Sequence, residues 1–205
     1  MTKITRGLQE RRQEIVKTAR RLFQAEGYDK ITMQRIVEEV GIAKGTVFYY
    51  FETKEDLLNA VVEAIIEEDA ARKRHLIEIT QGNALDKIRA VMQLESMALK
   101  YPRILETLHE VSNAQMHSQQ LGVMVMNEAS IYATLIQQGC QEGIFNTDNP
   151  LECAEFMIAG IQFLTDTGIY PWSEADMERR ARAFPHLLEA LLRAKSGSFQ
   201  FMVQS

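Results

Sequence analysis

The stretch from Thr32 to Lys54 leaves the chain little choice of local structure: two short helices joined by a turn of three residues. Met33, Ile36, Val37 and Val40 recur at offsets of 0, 3, 4 and 7, the spacing that puts apolar side chains on one face of a helix. Gly41 follows, a residue that enters the left-handed region at no steric cost and so ends helices. The spacing predicts a second helix over about Lys44 to Phe51, roughly 12 Å long at 1.5 Å per residue. A B-DNA major groove is about 12 Å wide, so such a helix fits across it. Val47 and Phe51 form its inward face, whereas Lys44, Gly45, Thr46, Tyr49 and Tyr50 face outward. A positive charge, a small residue, a hydroxyl and two phenols make a face suited to phosphates and base edges. The segment reads as the second half of a DNA-reading helix-turn-helix.

The charge distribution agrees. The 205-residue chain carries a net charge of −5, but residues 1–54 hold 11 basic and 7 acidic side chains, net +4, and residues 55–205 hold 12 and 21, net −9. A basic N-terminal part on an acidic remainder is the pattern of a polyanion-binding module attached to a body with another task. Four prolines and 11 glycines over the whole length leave long uninterrupted runs, which predicts an all-α protein. No run of 18 apolar residues occurs and no apolar segment opens the chain, so a membrane span and a secretory signal are not expected and the cytoplasm is the expected location. Cys140 and Cys153 are too few and too far apart for a disulfide framework or a CxxC unit.

Taken in order, residues 1–9 read as a loose polar arm with Lys3 and Arg6. A helix over about Glu10 to Ala25 presents Ile15, Val16, Ala19, Leu22 and Phe23 on one face and ends at Gly27. Thr32 is placed to cap the next helix, and its position at a helix N-terminus also suits a phosphate. After the short helix, Thr53 and Asp56 form a capping-box pattern ahead of an amphipathic helix reaching about Thr80. A fifth helix is expected over Ala84 to Lys100 with Ile88, Val91, Met92, Glu95 and Leu99 on one side, then a short segment from Pro102 to Leu108 and a long helical stretch to Glu142. The helix from about Leu151 to Thr167 is apolar nearly all round, which requires cover on both sides, the second from a partner subunit. The last helix, capped by Ser173 with Asp176, contains Pro185, so a kink or a late start is expected there. The tail is expected to be mobile unless Phe199 and Phe201 find a groove.

TMQRIVEEVGIAKGTVFYYFETKEDLL resembles the N-terminal signature of the tetracycline-repressor (TetR) family of bacterial transcriptional regulators, over roughly residues 10–60. The resemblance implies a three-helix DNA-binding domain over residues 1–53 and a larger helical ligand-binding and dimerisation domain over 54–205. It places Lys44, Gly45, Thr46, Tyr49 and Tyr50 at positions that face DNA in that family, and Thr32 and Lys54 where phosphate contacts are usual. Phe48 stands where a tyrosine is common and Tyr50 where a histidine is common. Phe48 has no ring donor, but can press on a thymine methyl.

In the body, thioethers and rings at Met92, Met116, Met124, Met126, Met157, Tyr132, Phe156 and Phe163 are candidates to line a ligand pocket, with Met97 alongside them. His109, Asn113 and His117 lie four apart, on one stripe if their helix is continuous, and could orient a ligand. As a metal site the stripe is poor: on one helix the two histidines would stand about 12 Å apart. No metal or other cofactor is expected. No phosphate loop, GxSxG or HExxH occurs, so an enzyme is not expected. The reading is a homodimeric repressor released from a palindromic double-stranded DNA operator by a small, largely apolar effector; the alternative is a DNA-binding dimer whose body binds another protein.

Overall fold

In the computed structural model, residues 3–94 and 97–203 are described. They form ten α-helices, two short 3-10 turns at Val111–Asn113 and Gln200–Val203, and no strand among the described residues. The helices are α1 (Lys3–Glu26), α2 (Met33–Val40), α3 (Lys44–Tyr50), α4 (Lys54–Ile79), α5 (Ala84–Met92), α6 (Met97–Lys100), α7 (Pro102–Leu108), α8 (Ala114–Gln141), α9 (Pro150–Thr165) and α10 (Glu174–Leu192). Two compact units result: Met1–Glu67 with Ser96–Met116, and Glu68–Glu95 with His117–Ser205. The side chains of Lys3, Arg6, Glu95 and Met97, about which the sequence raised expectations, lie outside the described residues.

In the first unit, α1 begins at Lys3, so most of the expected loose arm is helix. Nothing in residues 3–9 breaks it: there is no proline, and a single glycine such as Gly7 weakens a helix by only about 1 kcal/mol. Gly27, at φ 92°, stops α1 by donating its N–H to the Phe23 carbonyl at 3.0 Å. The expected face of α1, Ile15 to Phe23, is buried together with Ile36 and Val37 of α2, Val47 of α3 and Leu57, Leu58, Val61 and Val62 of α4. The caps follow the sequence. Thr32 Oγ1 accepts from the Arg35 N–H at 3.1 Å. Thr53 and Asp56 exchange backbone-to-side-chain bonds of 3.0 Å each, the reciprocal box that opens α4. Later in the chain α7 returns to α1, where Arg103 donates to the Ala25 carbonyl and the Arg20 guanidinium lies 5.6 Å from the Tyr101 ring centroid.

The second unit closes around Ile88, Val91, Tyr132, Leu135, Ile136, Met157, Ile158, Leu188 and Leu192. The sequence reading needs two corrections, one in each unit. The fifth helix ends at Met92 instead of Lys100, because the Gln93 and Leu94 N–H groups turn back to the Arg89 and Val91 carbonyls; Leu99 accordingly ends up 73% exposed. The stretch through His109 and Asn113 is not one helix. His109 caps α7, a 3-10 turn intervenes, and α8 starts only at Ala114, so the 12 Å axial spacing drawn for the two histidines does not apply. As the Ser173 and Asp176 pattern predicts, α10 starts at Glu174, and it runs through a buried Pro185, so of the two outcomes expected there the late start does not occur.

The tail finds its groove. Phe199 is fully buried, stacked on Phe145 at 6.1 Å between centroids, and Phe201 is 9% exposed. Glu189, itself buried, accepts the N–H groups of Gly197 at 2.8 Å and Phe199 at 3.2 Å, which satisfies backbone donors carried into the core. Phe145 can reach this position because Gly139 opposite it has no Cβ; one would stand 2.2 Å from the ring. Phe199→Ala should therefore cost about 3–5 kcal/mol, read as a lowered denaturation midpoint, whereas a mobile tail would leave that midpoint unchanged.

Candidate nucleic-acid interface

The geometry of the recognition element starts at Gly41. Its φ of 72° and the 3.0 Å bond from its N–H to the Val37 carbonyl terminate α2 in the left-handed conformation. Three residues later α3 begins, and after seven residues Phe51 ends it with an N–H to the Val47 carbonyl at 3.0 Å. Val47 is fully buried and Phe51 is 3% exposed, so this pair anchors α3 to the unit, as the apolar pattern requires. At about 100° per residue the opposite side carries Gly45, Thr46 and Tyr49. Tyr49 is 76% exposed and meets Tyr50 edge to face at 5.2 Å. On one flank the Lys44 ammonium lies 5.5 Å from the Phe48 ring centroid. Phe48 is half-buried, a position that serves packing and leaves an edge toward solvent.

The two residues expected at phosphates are both built into the frame. Thr32 spends its oxygen lone pair on capping α2, which leaves its hydroxyl hydrogen to donate. Lys54 is half-buried: its ammonium donates to the Tyr28 carbonyl at 3.1 Å and sits 3.9 Å above the Tyr28 ring. An ammonium has three donors, so this tether orients the charge without consuming it. Tyr28 itself is held as a neutral phenol, its pKa raised by burial first and then by Glu55. Around α2, Glu39 takes both Arg21 of α1 and Arg35 of its own helix, the latter at 3.2 Å, and so ties α2 to α1. That double pairing was not read from the sequence, since the partners are 18 residues apart and on different helices.

Of the residues proposed to line a ligand pocket, the structure brings some into the second unit's interior and leaves others outside. Tyr132 is buried in the core and Met92 packs against it. His117 is buried and its Nε2 lies 3.0 Å from Asp166 Oδ2, while Asp166 Oδ1 accepts from the N–H groups of Gly168 and Ile169. Met124 is half-buried on α8. Phe156 and Phe163 are turned to solvent, 73% and 45% exposed. His109 and Met116 belong to the first unit, where both are half-buried.

One buried constellation was missed by the sequence reading. Lys73 of α4, 11% exposed at its side chain, pairs with Asp69 at 2.8 Å and with Glu128 of α8 at 2.5 Å. Burial pulls the lysine pKa down, but Glu128 and Asp69 more than offset it and leave it raised. Tyr132, one turn beyond Glu128, has its phenol pKa pushed up by burial and by the same two carboxylates. The signal available was Asp69 and Lys73 spaced by four on a helix, but nothing in the sequence links them to Glu128.

Comparison with known proteins agrees with this architecture. Residues 15–61 match the family described as "Bacterial regulatory proteins, tetR family", and residues 102–187 match "Tetracyclin repressor-like, C-terminal domain". The chain is 31% identical over 147 residues to the HTH-type transcriptional repressor AcnR of Corynebacterium glutamicum, covering 69% of this chain and 72% of that protein. It is 40% identical over 78 residues to AcnR of Corynebacterium diphtheriae, covering 38% of this chain and 37% of that protein's length. The crystal structure of a TetR-family transcriptional regulator from Pectobacterium atrosepticum superposes with a TM-score of 0.65 at 22% identity, over 94% of this chain and 98% of that one. Among the described residues no helix is long and apolar enough to cross a membrane.

Gly45 separates the needs of the fold from those of a partner. It has no positive φ, and a Cβ added there would meet nothing within 4 Å, so the protein itself gains nothing from a glycine in this helix. Gly45→Ala should hold or raise stability by about 0.5–1 kcal/mol, and on the expectation that this face of α3 meets DNA the added methyl should weaken duplex binding. Thermal melting and duplex-binding titrations of the variant check this, and unchanged DNA affinity would remove Gly45 from the contact surface.

Proposed function

Because the chain belongs to the TetR family of bacterial transcriptional regulators, we propose that it is a cytoplasmic homodimeric repressor that places two α3 helices in successive major grooves of a roughly palindromic operator. The observation that carries this reading is the α2–Gly41–α3 unit, with Val47 and Phe51 buried and Gly45, Thr46 and Tyr49 turned outward. Residues 1–53 serve as the DNA-binding domain and 54–205 as the dimerisation and effector domain. Thr32, Lys44 and Lys54 meet phosphates, and Thr46, Tyr49 and Tyr50 read base edges, with Phe48 contributing an apolar edge. Phosphate contacts set register and orientation, while base contacts carry sequence discrimination.

A dimer follows from energetics and from surface chemistry. One seven-residue helix makes too few contacts for specificity, and two half-sites sum their discrimination. The exposed apolar side chains of α9 and α10, Phe156, Phe163, Leu164 and Leu187, supply a face that a second copy would cover. An effector bound in the second unit, near Tyr132, His117 and Met92, would release the operator only through unequal affinity for the two conformations of the dimer.

Sequencing of genomic fragments captured on the purified protein tests the central reading. The enriched sites should contain inverted repeats with half-sites about 10 base pairs apart, one helical turn; enrichment without such symmetry would overturn the dimer mode. Two substitutions test the division of labour. Lys54→Ala should weaken binding to all duplexes and flatten the logarithmic salt dependence by about one unit. Thr46→Val should instead change the preferred sequence and leave the slope alone. Equal effects of both variants on operator and random DNA would refute it. Phe156→Glu should convert the dimer to monomers in sedimentation experiments, and a persistent dimer would move the interface elsewhere.

A further inference from the structure

We propose that Arg12, on α1, is a further phosphate-binding residue of the DNA interface, set at the opposite end of α3 from Lys44. The inference rests on the DNA-binding reading and extends it to a helix outside the helix-turn-helix. Arg12 is exposed, three residues before the fully buried Ile15, and its guanidinium carbon lies 5.2 Å from the centroid of the Phe51 ring. Phe51 is the residue that ends α3. The guanidinium is therefore parked against the last turn of the recognition helix.

Five other basic side chains of this unit have anionic or carbonyl partners. Arg21 and Arg35 share Glu39, Arg11 pairs with Glu14 at 2.6 Å, Arg103 holds the Ala25 carbonyl and Lys54 is tethered to Tyr28. Among the described residues Arg12 has no carboxylate partner and rests on the aromatic ring alone. Contact with the ring spends none of the five guanidinium N–H donors, and it restricts the rotamers of a long side chain before any partner arrives. The placement also matches the groove. α3 has seven residues, about 10 Å along its axis, and the major groove that would receive it is about 12 Å wide between phosphate rows. With Lys44 at its first turn and Arg12, from α1, beside its last residue, one cation stands at each end of the helix.

The test uses the full chain with Arg12→Ala, Arg12→Lys and, as comparator, Lys44→Ala. Affinity for an operator fragment and for a random duplex is measured by fluorescence anisotropy from 50 to 200 mM salt, with a thermal midpoint for each variant. Arg12→Ala should lose roughly five- to tenfold in affinity on both duplexes and lower the salt slope by about one, with little change in midpoint. Arg12→Lys keeps the charge but not the planar guanidinium; it should keep the slope and lose part of the affinity. A lowered midpoint with an unchanged slope in Arg12→Ala would show that the guanidinium merely covers Phe51, and the proposal would fall. If Lys44→Ala lowers the slope and Arg12→Ala does not, the DNA-binding reading stands and only the role of Arg12 is lost. Absence of salt-dependent binding by the unaltered protein would sink both.

Discussion

The presentation of α3 depends on the left-handed turn at Gly41. A side chain with a β-carbon pays about 1–2 kcal/mol to hold such a backbone conformation, and without it α2 would continue or fray. With it, the Gly41 N–H closes on the Val37 carbonyl and α3 starts three residues later, close enough for Val47 and Phe51 to share a core with Ile36 and Val37. That sharing fixes the opposite face. Since Val47 and Phe51 must be inside, Gly45, Thr46 and Tyr49 must be outside, and the chemistry available to a partner follows from the helical period alone.

Around this element the first unit uses charge for orientation. Glu39 binds two arginines from two helices, the Lys54 ammonium spans from the start of α4 to the Tyr28 carbonyl, and Arg12 covers Phe51. Exposed ion pairs contribute little to stability, typically under about 1 kcal/mol, so their value lies in fixing geometry. The second unit treats charge differently. Lys73, Asp69 and Glu128 are nearly buried together, and a buried ion cluster is neutral or costly compared with an apolar one of similar volume. What it does supply is a directional tie between the far half of α4 and α8, which apolar contacts of the same size would not give.

Much of the first unit was legible in the sequence because its determinants are local. The caps at Thr32 and Thr53, the stops at Gly27 and Gly41, and the apolar faces of α1 to α4 are all set within four or five residues. The family assignment rests on the same stretch, and the all-helical architecture came from the distribution of proline and glycine. Legibility fails where the backbone turns without a glycine or proline. The break after Met92 and the interruption over residues 109–113 are made by ordinary residues, and the sequence reading ran helix through both. In the opposite direction, Pro185 offered a kink or a late start, and α10 carries it as a buried residue within a helix that begins at Glu174.

The sequence by itself determined which faces of the helices are apolar, where the recognition element begins and ends, and which side chains it turns outward. Period and caps act over a few residues and need no other part of the chain. Only the tertiary structure decided which distant groups meet: Phe199 and Phe201 of the tail with the core, Asp166 with His117, Glu128 with Lys73, and Arg12 with Phe51. It also decided that Phe156 and Phe163, as apolar as any residue of α9, face away from the core. Hydrophobicity records that a side chain gains by leaving water, not which surface covers it. That choice is made when whole helices pack, through contacts between residues dozens of positions apart.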